Sequence, residues 1–387
     1  MEYYIHSEKI LFENTITGPG YLKIKDGKFG AFQKEKPNEE DVIIIDYEDK
    51  WIAPGLVDTH VHGILGHEVM DNSFEGLETI SKGLLSCGVT SFLPTTLTAP
   101  IELLNDIVSM VGNYYKEVTG AKIQGIYLEG PFFTEKYKGA QNPKYFTDPS
   151  IAIFNNWQKL SGGIIKKIAL APERNNVKEL VKKLTKNNVV VALGHSDGTY
   201  EQAKDVVEAG ASVFTHTYNG MSPLNHREPG MVGAAMSLKN VFAELICDGY
   251  HVHPKAAEIL MDMRGRESIA LISDCMRAGG MPEGEYSLGE FSVKVKDGQA
   301  RMETGNLAGS ILTLKDAIKN VVEWEIATPE EAIKMASFVP AVSCKIENTC
   351  GIISEGRAAD YIVLDDKMNL LETYVNGHCL YNISDIE

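Results

Sequence analysis

Two histidines separated by one residue, His60 and His62, close the apolar stretch Trp51-Ile-Ala-Pro-Gly-Leu-Val-Asp-Thr-His-Val-His-Gly63. In an extended strand, side chains two apart share a face, so the two imidazoles project together beside Asp58. Paired neutral imidazoles make half of a transition-metal site. Taken alone, the pair reads equally well as two structural histidines. Further residues of the same kind favour the metal: Glu129, His195, His216, His251 and Asp274 each fall at or just past the end of an apolar segment. Imidazoles and carboxylates delivered to one end of successive strands are what a metal-dependent hydrolase needs.

The elements that would deliver them alternate between two textures. Candidate strands cover residues 52–58, 89–94, 123–129, 165–171, 189–195, 212–216, 242–248 and 269–274, and amphipathic stretches such as 74–86, 177–186 and 200–208 lie between them. Eight strands alternating with helices predict an α/β fold, a (β/α)8 barrel of TIM type, whose active site belongs at the carboxyl ends of the strands. An open doubly wound sheet is the alternative, but no G-x-G-x-x-G fingerprint follows the first strand.

The flanks read differently. Residues 3–12, 21–25, 28–32 and 42–46 look like short strands, with Asp26-Gly27 as a hairpin turn. Past the eighth strand, residues 286–302 alternate around Asp297-Gly298 and predict a hairpin. Thr328-Pro-Glu-Glu331 is a capping box that opens a helix to about Phe338. Strand texture returns at 361–364 and 373–375, before an Asn376-Gly377 turn. Both ends of the chain are therefore expected to build one small β-sandwich domain, 1–53 with 345–387, beside a barrel of residues 54–344.

Composition narrows the partners. A formal charge of −16 over 387 residues argues against nucleic acid or an anionic membrane, while a small anionic substrate needs only a few local cations. The six cysteines (87, 247, 275, 344, 350 and 379) show no C-x-x-C spacing and read as reduced thiols. The first residues lack an apolar signal segment and no apolar run approaches membrane-spanning length, so a cytoplasmic protein is expected.

With these residues in view, the chain resembles the amidohydrolase superfamily over nearly its whole length, and within it the deacetylases of phosphorylated N-acetyl amino sugars. The resemblance rests on Pro54-Gly-Leu-Val-Asp-Thr-His-Val-His-Gly63, Leu128-Glu-Gly-Pro-Phe132 and Gly194-His195. It extends through Thr215-His-Thr-Tyr-Asn219, His226-Arg-Glu-Pro-Gly230, Asp248-Gly-Tyr-His251, Ser273-Asp274 with Met276-Arg-Ala278, and Leu307-Ala-Gly-Ser310.

The resemblance implies that Glu129, His195 and His216 hold one divalent metal. It also implies that His60 and His62, with Glu129 bridging, hold a second, so zinc or iron, two per chain, is the expected cofactor. Such a metal lowers the pKa of bound water from ~15.7 toward ~7. Asp274 is the expected proton carrier from that water to the leaving amine; a purely structural ligand is its other reading. The expected substrate is N-acetyl-D-glucosamine 6-phosphate, cleaved to D-glucosamine 6-phosphate and acetate, with N-acetylgalactosamine 6-phosphate, another acylated sugar or a cyclic amide as alternatives. A barrel that had lost its metals and kept only a scaffold role is the reading from another class.

For the substrate, the resemblance implies Arg227 and His226 at the sugar phosphate, reaching across a homodimer interface, with Asn219, Gly220, His251 and Leu307 around the sugar. Gln141 stands where some relatives have histidine; it can donate a neutral hydrogen bond but cannot carry charge. His6, His67, His253 and His378, and Cys275 beside Asp274, are read as structural.

Overall fold

The computed structural model describes residues 2–13, 15–38 and 41–385. Residues 1, 14, 39, 40, 386 and 387, all within the expected β-domain, lie outside the described residues. Eight parallel strands succeed one another: β1 (Leu56–Val61), β2 (Val89–Thr96), β3 (Ile126–Phe132), β4 (Ile165–Leu170), β5 (Val190–Leu193), β6 (Val213–Phe214), β7 (Phe242–Leu245) and β8 (Ile269–Leu271). Each pairs with the next in parallel register. The ring closes just past β8, where Cys275 bridges Val61 and the Asp274 N–H donates to the His60 carbonyl at 2.9 Å. This is the expected (β/α)8 barrel.

Strands covered on both faces carry near-continuous apolar sequence, as in β5, while the helices outside them bury one stripe. In the helix Val177–Lys186, Val177, Leu180, Val181 and Leu184 are buried at the i, i+3, i+4, i+7 spacing, and its lysines stay on the other face. The helix Tyr200–Glu208 starts on a capping box in which Thr199 and Gln202 exchange side-chain-to-backbone hydrogen bonds.

The N-terminal segment builds one further sheet, and both chain ends build another. One runs in the order Lys28–Gln33, Gly20–Lys25, Glu2–Ser7, Ile44–Asp46; the other runs His378–Asn382, Leu370–Val375, Tyr361–Leu364, Trp51–Pro54, Lys9–Leu11, Ile16–Thr17. Tyr3, Ile5, Leu22, Phe29, Ile52, Tyr361 and Val363 pack in one apolar cluster between them.

Several expected elements are corrected. The predicted first barrel strand, 52–58, is two strands broken at Gly55. Trp51–Pro54 joins the outer sheet, antiparallel to Tyr361–Leu364, and only Leu56–Val61 enters the barrel. Only glycine fits at the break, since a Cβ at position 55 would lie 2.1 Å from Thr90 Oγ1. The expected hairpin at 286–302 is a three-stranded sheet of Gly284–Leu288, Phe291–Lys296 and Gln299–Met302, because Gly289 (φ 53°) makes a second turn. The helix from Thr328 stops at Met335, and a second, Phe338–Ser343, follows. Proline lacks the N–H that a helix interior needs and fits only its first turn, so Pro340 forces a new start. Among the described residues, no helix is long and apolar enough to cross a membrane.

Candidate metal centre

The carboxyl end of the barrel gathers the ligand-type residues. His60 and His62 sit at the end of β1 and Glu129 in the middle of β3. His195, His216 and Asp274 lie two or three residues past β5, β6 and β8, not within the strands as expected. All three take left-handed backbone, at φ 46°, 27° and 48°. For residues with a Cβ such backbone costs roughly 1–3 kcal/mol each, and it persists where surrounding structure enforces it, often at functional sites.

Two buried groups result: His60, His62 and Asp274, and Glu129, His195 and His216, with the ligand atoms of each group within 4.8 Å of one another. Glu129 touches both. Its Oε1 lies 3.1 Å from the Nε2 of His195 and of His216 and 3.4 Å from that of His60, while Oε2 lies 3.3 Å from His62 Nε2. Asp274 Oδ1 is 3.1 Å from His62 Nε2 and 3.4 Å from His60 Nε2.

The chemistry of these donors fits a metal. Each imidazole backs its Nδ1 onto an acceptor: the Glu244 carboxylate at 3.2 Å for His60, and the carbonyls of Thr95 (3.1 Å), Tyr137 (3.3 Å) and Asn219 (3.1 Å) for His62, His195 and His216. Those oxygens accept only, so the proton belongs on Nδ1 and the lone pair of each Nε2 points into the site. The Nε2 atoms of His195 and His216 then face each other at 3.0 Å, and His60 Nε2 has no hydrogen-bond partner. Converging lone pairs beside two carboxylates call for cations.

The electrostatics agree. Burial would depress the pKa values of His60 and His62, but the Asp274 and Glu129 carboxylates overcome it and push them up to about 9 and about 10. Burial lowers that of His195, where the single carboxylate Glu129 does not prevail. Burial would raise Glu129 and Asp274, yet the neighbouring imidazoles hold both below the usual carboxylate range.

A cavity of about 360 Å³ opens over these groups. Gln141, Asn219, Gly220, His251 and Leu307 line it. Gln141 donates Nε2 to Glu129 Oε2 at 2.7 Å, and its Oε1 accepts from the Thr98 N–H at 2.8 Å. His251 is held by Asp248, whose Oδ2 lies 2.6 Å from its Nδ1. His226 and Arg227, by contrast, are exposed on the loop after β6 and do not line this cavity.

Reading the strand ends missed three charged residues in or next to the site. Arg301, on the added three-stranded sheet, lines the cavity, and its guanidinium donates to two neutral acceptors, Gln299 Oε1 and the Gly305 carbonyl. Lys167 and Glu244 lie wholly buried in β4 and β7. A charged residue inside an apolar strand is the signal that would have found the last two, because lysine and glutamate are almost never fully buried unpaired.

The amidohydrolase family model matches residues 51–381. The N-acetylglucosamine-6-phosphate deacetylase of Vibrio furnissii is 40% identical over 332 residues, 86% of this chain and 83% of that protein. The N-acetylgalactosamine-6-phosphate deacetylase of Escherichia coli O157:H7 is 36% identical over 97% of this chain and 99% of its own length. Among solved structures, a mutant N-acetyl-D-glucosamine-6-phosphate deacetylase from Mycobacterium smegmatis, in complex with N-acetyl-D-glucosamine-6-phosphate, superposes with a TM-score of 0.93. It is 27% identical, and the match covers 98% of this chain and 100% of that one.

Proposed function

The chain belongs to the amidohydrolase family, and from that premise we propose that it hydrolyses N-acetyl-D-glucosamine 6-phosphate to D-glucosamine 6-phosphate and acetate. The observation that carries this reading is the pair of buried ligand groups joined by Glu129 at the floor of a sugar-sized cavity. Glu129, His195 and His216 would hold one divalent ion, and His60, His62 and Asp274, with Glu129 shared, a second; zinc and iron suit imidazole with carboxylate. Such ions, when bound, act as Lewis acids and bring a coordinated water's pKa toward neutrality.

The chain's own groups do the rest. Asp274 lines the cavity and stays ionised at neutral pH, so it can take a proton from the attacking water as its oxygen joins the acetyl carbon. When the C–N bond breaks, the same carboxyl returns that proton to the departing nitrogen, leaving the free amine and acetic acid, which gives up its remaining proton to solvent as acetate. Gln141, fixed between Thr98 and Glu129, keeps the shared carboxylate oriented. His251, oriented by Asp248, is placed to meet a sugar hydroxyl, with Asn219, Gly220 and Leu307 forming the wall.

The phosphate requires a cation. Exposure of His226 and Arg227 outside their own cavity supports their reaching a partner's site in a homodimer, where a guanidinium fork suits phosphate oxygens. Arg301 offers a guanidinium from the same chain. The sequence division into a β-domain (1–53 with 345–387) and a barrel (54–344) is part of this proposal, supported by the apolar cluster shared by Tyr3, Ile52 and Tyr361. Five buried free thiols support a cytoplasmic setting.

A second reading, the same chemistry on N-acetylgalactosamine 6-phosphate, is favoured by the Escherichia coli relative. Acetate release from both phosphorylated sugars and from unphosphorylated N-acetylglucosamine, with metal-replete enzyme, tests the choice. Preference for N-acetylglucosamine 6-phosphate supports the first reading, preference for its epimer replaces it with the second, and activity on neither refutes both.

A further inference from the structure

Beneath the metal-ligand groups lies an ion pair that the reaction does not use. Glu244 in β7 and Lys167 in β4 are both wholly buried, and neither lines the cavity. Glu244 Oε1 bonds Lys167 Nζ. Its Oε2 accepts from Thr215 Oγ1 at 2.9 Å and lies 3.2 Å from His60 Nδ1. Lys167 also donates to the Thr59 carbonyl at 3.3 Å and sits 3.9 Å from the centre of the Tyr127 ring, whose hydroxyl is 2.9 Å from Thr215 Oγ1. The side-chain polar atoms of Glu244, Lys167, Thr215 and Tyr127 all have partners.

Such a pair is a poor device for stability, because desolvating two charges offsets most of their attraction and apolar side chains of similar size often serve better. Its placement suggests another role. Of the four site imidazoles, only His60 has a carboxylate behind Nδ1, while the other three have backbone carbonyls. A carboxylate draws the Nδ1 proton more strongly, which fixes the ring and raises the donor strength of Nε2. Lys167 balances the charge, so Glu244 orients the ring without adding a third uncompensated anion to the site.

We propose that Glu244, held and neutralised by Lys167, is the positioning residue for His60 and so governs filling of the His60–His62–Asp274 position. This makes it the determinant of whether the enzyme carries one divalent ion or two. The inference rests on the two-metal reading above.

The test is zinc titration of chelator-stripped protein by calorimetry, with metal content measured after dialysis. Wild type is expected to bind two ions per chain. Glu244→Gln should keep one ion at wild-type affinity and bind the other about 10–100-fold more weakly. Since that change strands the lysine, the uncharged double variant Glu244→Gln with Lys167→Met is titrated beside it, with the same selective loss expected. Two ions bound by a folded variant at wild-type affinity, or both weakened equally, overturns the inference and leaves the two-metal reading standing. A wild type that binds fewer than two ions overturns both. A double variant that does not fold assigns the pair to the scaffold and overturns the inference alone.

Discussion

Replacing Asp274 by asparagine, with zinc varied, tests the proposed proton-carrier role against a role as metal ligand alone. The amide keeps the shape of the carboxylate and its backbone bonds, including the N–H that closes the barrel on His60. What it loses is the charge and the ability to accept and return a proton. Positioned general acid–base groups contribute about 10²–10⁴-fold. At 1.36 kcal/mol per decade, that corresponds to about 2.7–5.4 kcal/mol of barrel-mouth transition-state stabilisation. Asp274 also faces His60 and His62 at 3.4 and 3.1 Å, so the variant should bind the ion at that position more weakly. The Glu129–His195–His216 group is untouched and should keep its ion. The assay is therefore kcat for acetate release at saturating substrate, repeated with increasing added zinc. A drop of two to four decades that added zinc does not restore supports the proton-carrier role. Full recovery with zinc reduces Asp274 to a ligand, and a kcat within threefold of wild type without added zinc refutes both roles.

Other outcomes follow from the same geometry. Arg227→Ala should raise KM for the phosphorylated sugar about tenfold or more and leave turnover of the unphosphorylated one unchanged, and Arg301→Ala run beside it shows which guanidinium meets the phosphate. In metal-free protein, His60 and His62 have folded pKa values raised to about 9 and 10. Their stabilisation is complete below the unfolded value of ~6.5 and is lost as pH rises through 9 and 10. The melting temperature of chelated enzyme should therefore fall over that interval; a flat or rising profile contradicts the assignment. Gly55→Ala sets a Cβ 2.1 Å from Thr90 Oγ1 and should destabilise by about 1–3 kcal/mol, read as a lower urea midpoint at unchanged slope.

How far the sequence reveals this molecule depends on how local each signal is. The barrel was legible because its strands and helices announce themselves within ten residues, and the ligand residues because each ends such a segment. Gly55 was missed because residues 51–57 are uniformly apolar, although Pro54-Gly55 is a local turn signal within them. The left-handed backbone at His195, His216 and Asp274 was equally hidden, because histidine and aspartate, though enriched there, take ordinary backbone in most of their occurrences. Lys167 and Glu244 lie at the far limit. Strand alternation can turn Lys167 inward, toward the face of Ala169, but its partner is 77 positions away on a strand that is not its neighbour, and the two meet only across the closed barrel. Closure is thus what brings these two buried charges together behind His60, a contact that no local pattern in the sequence announces.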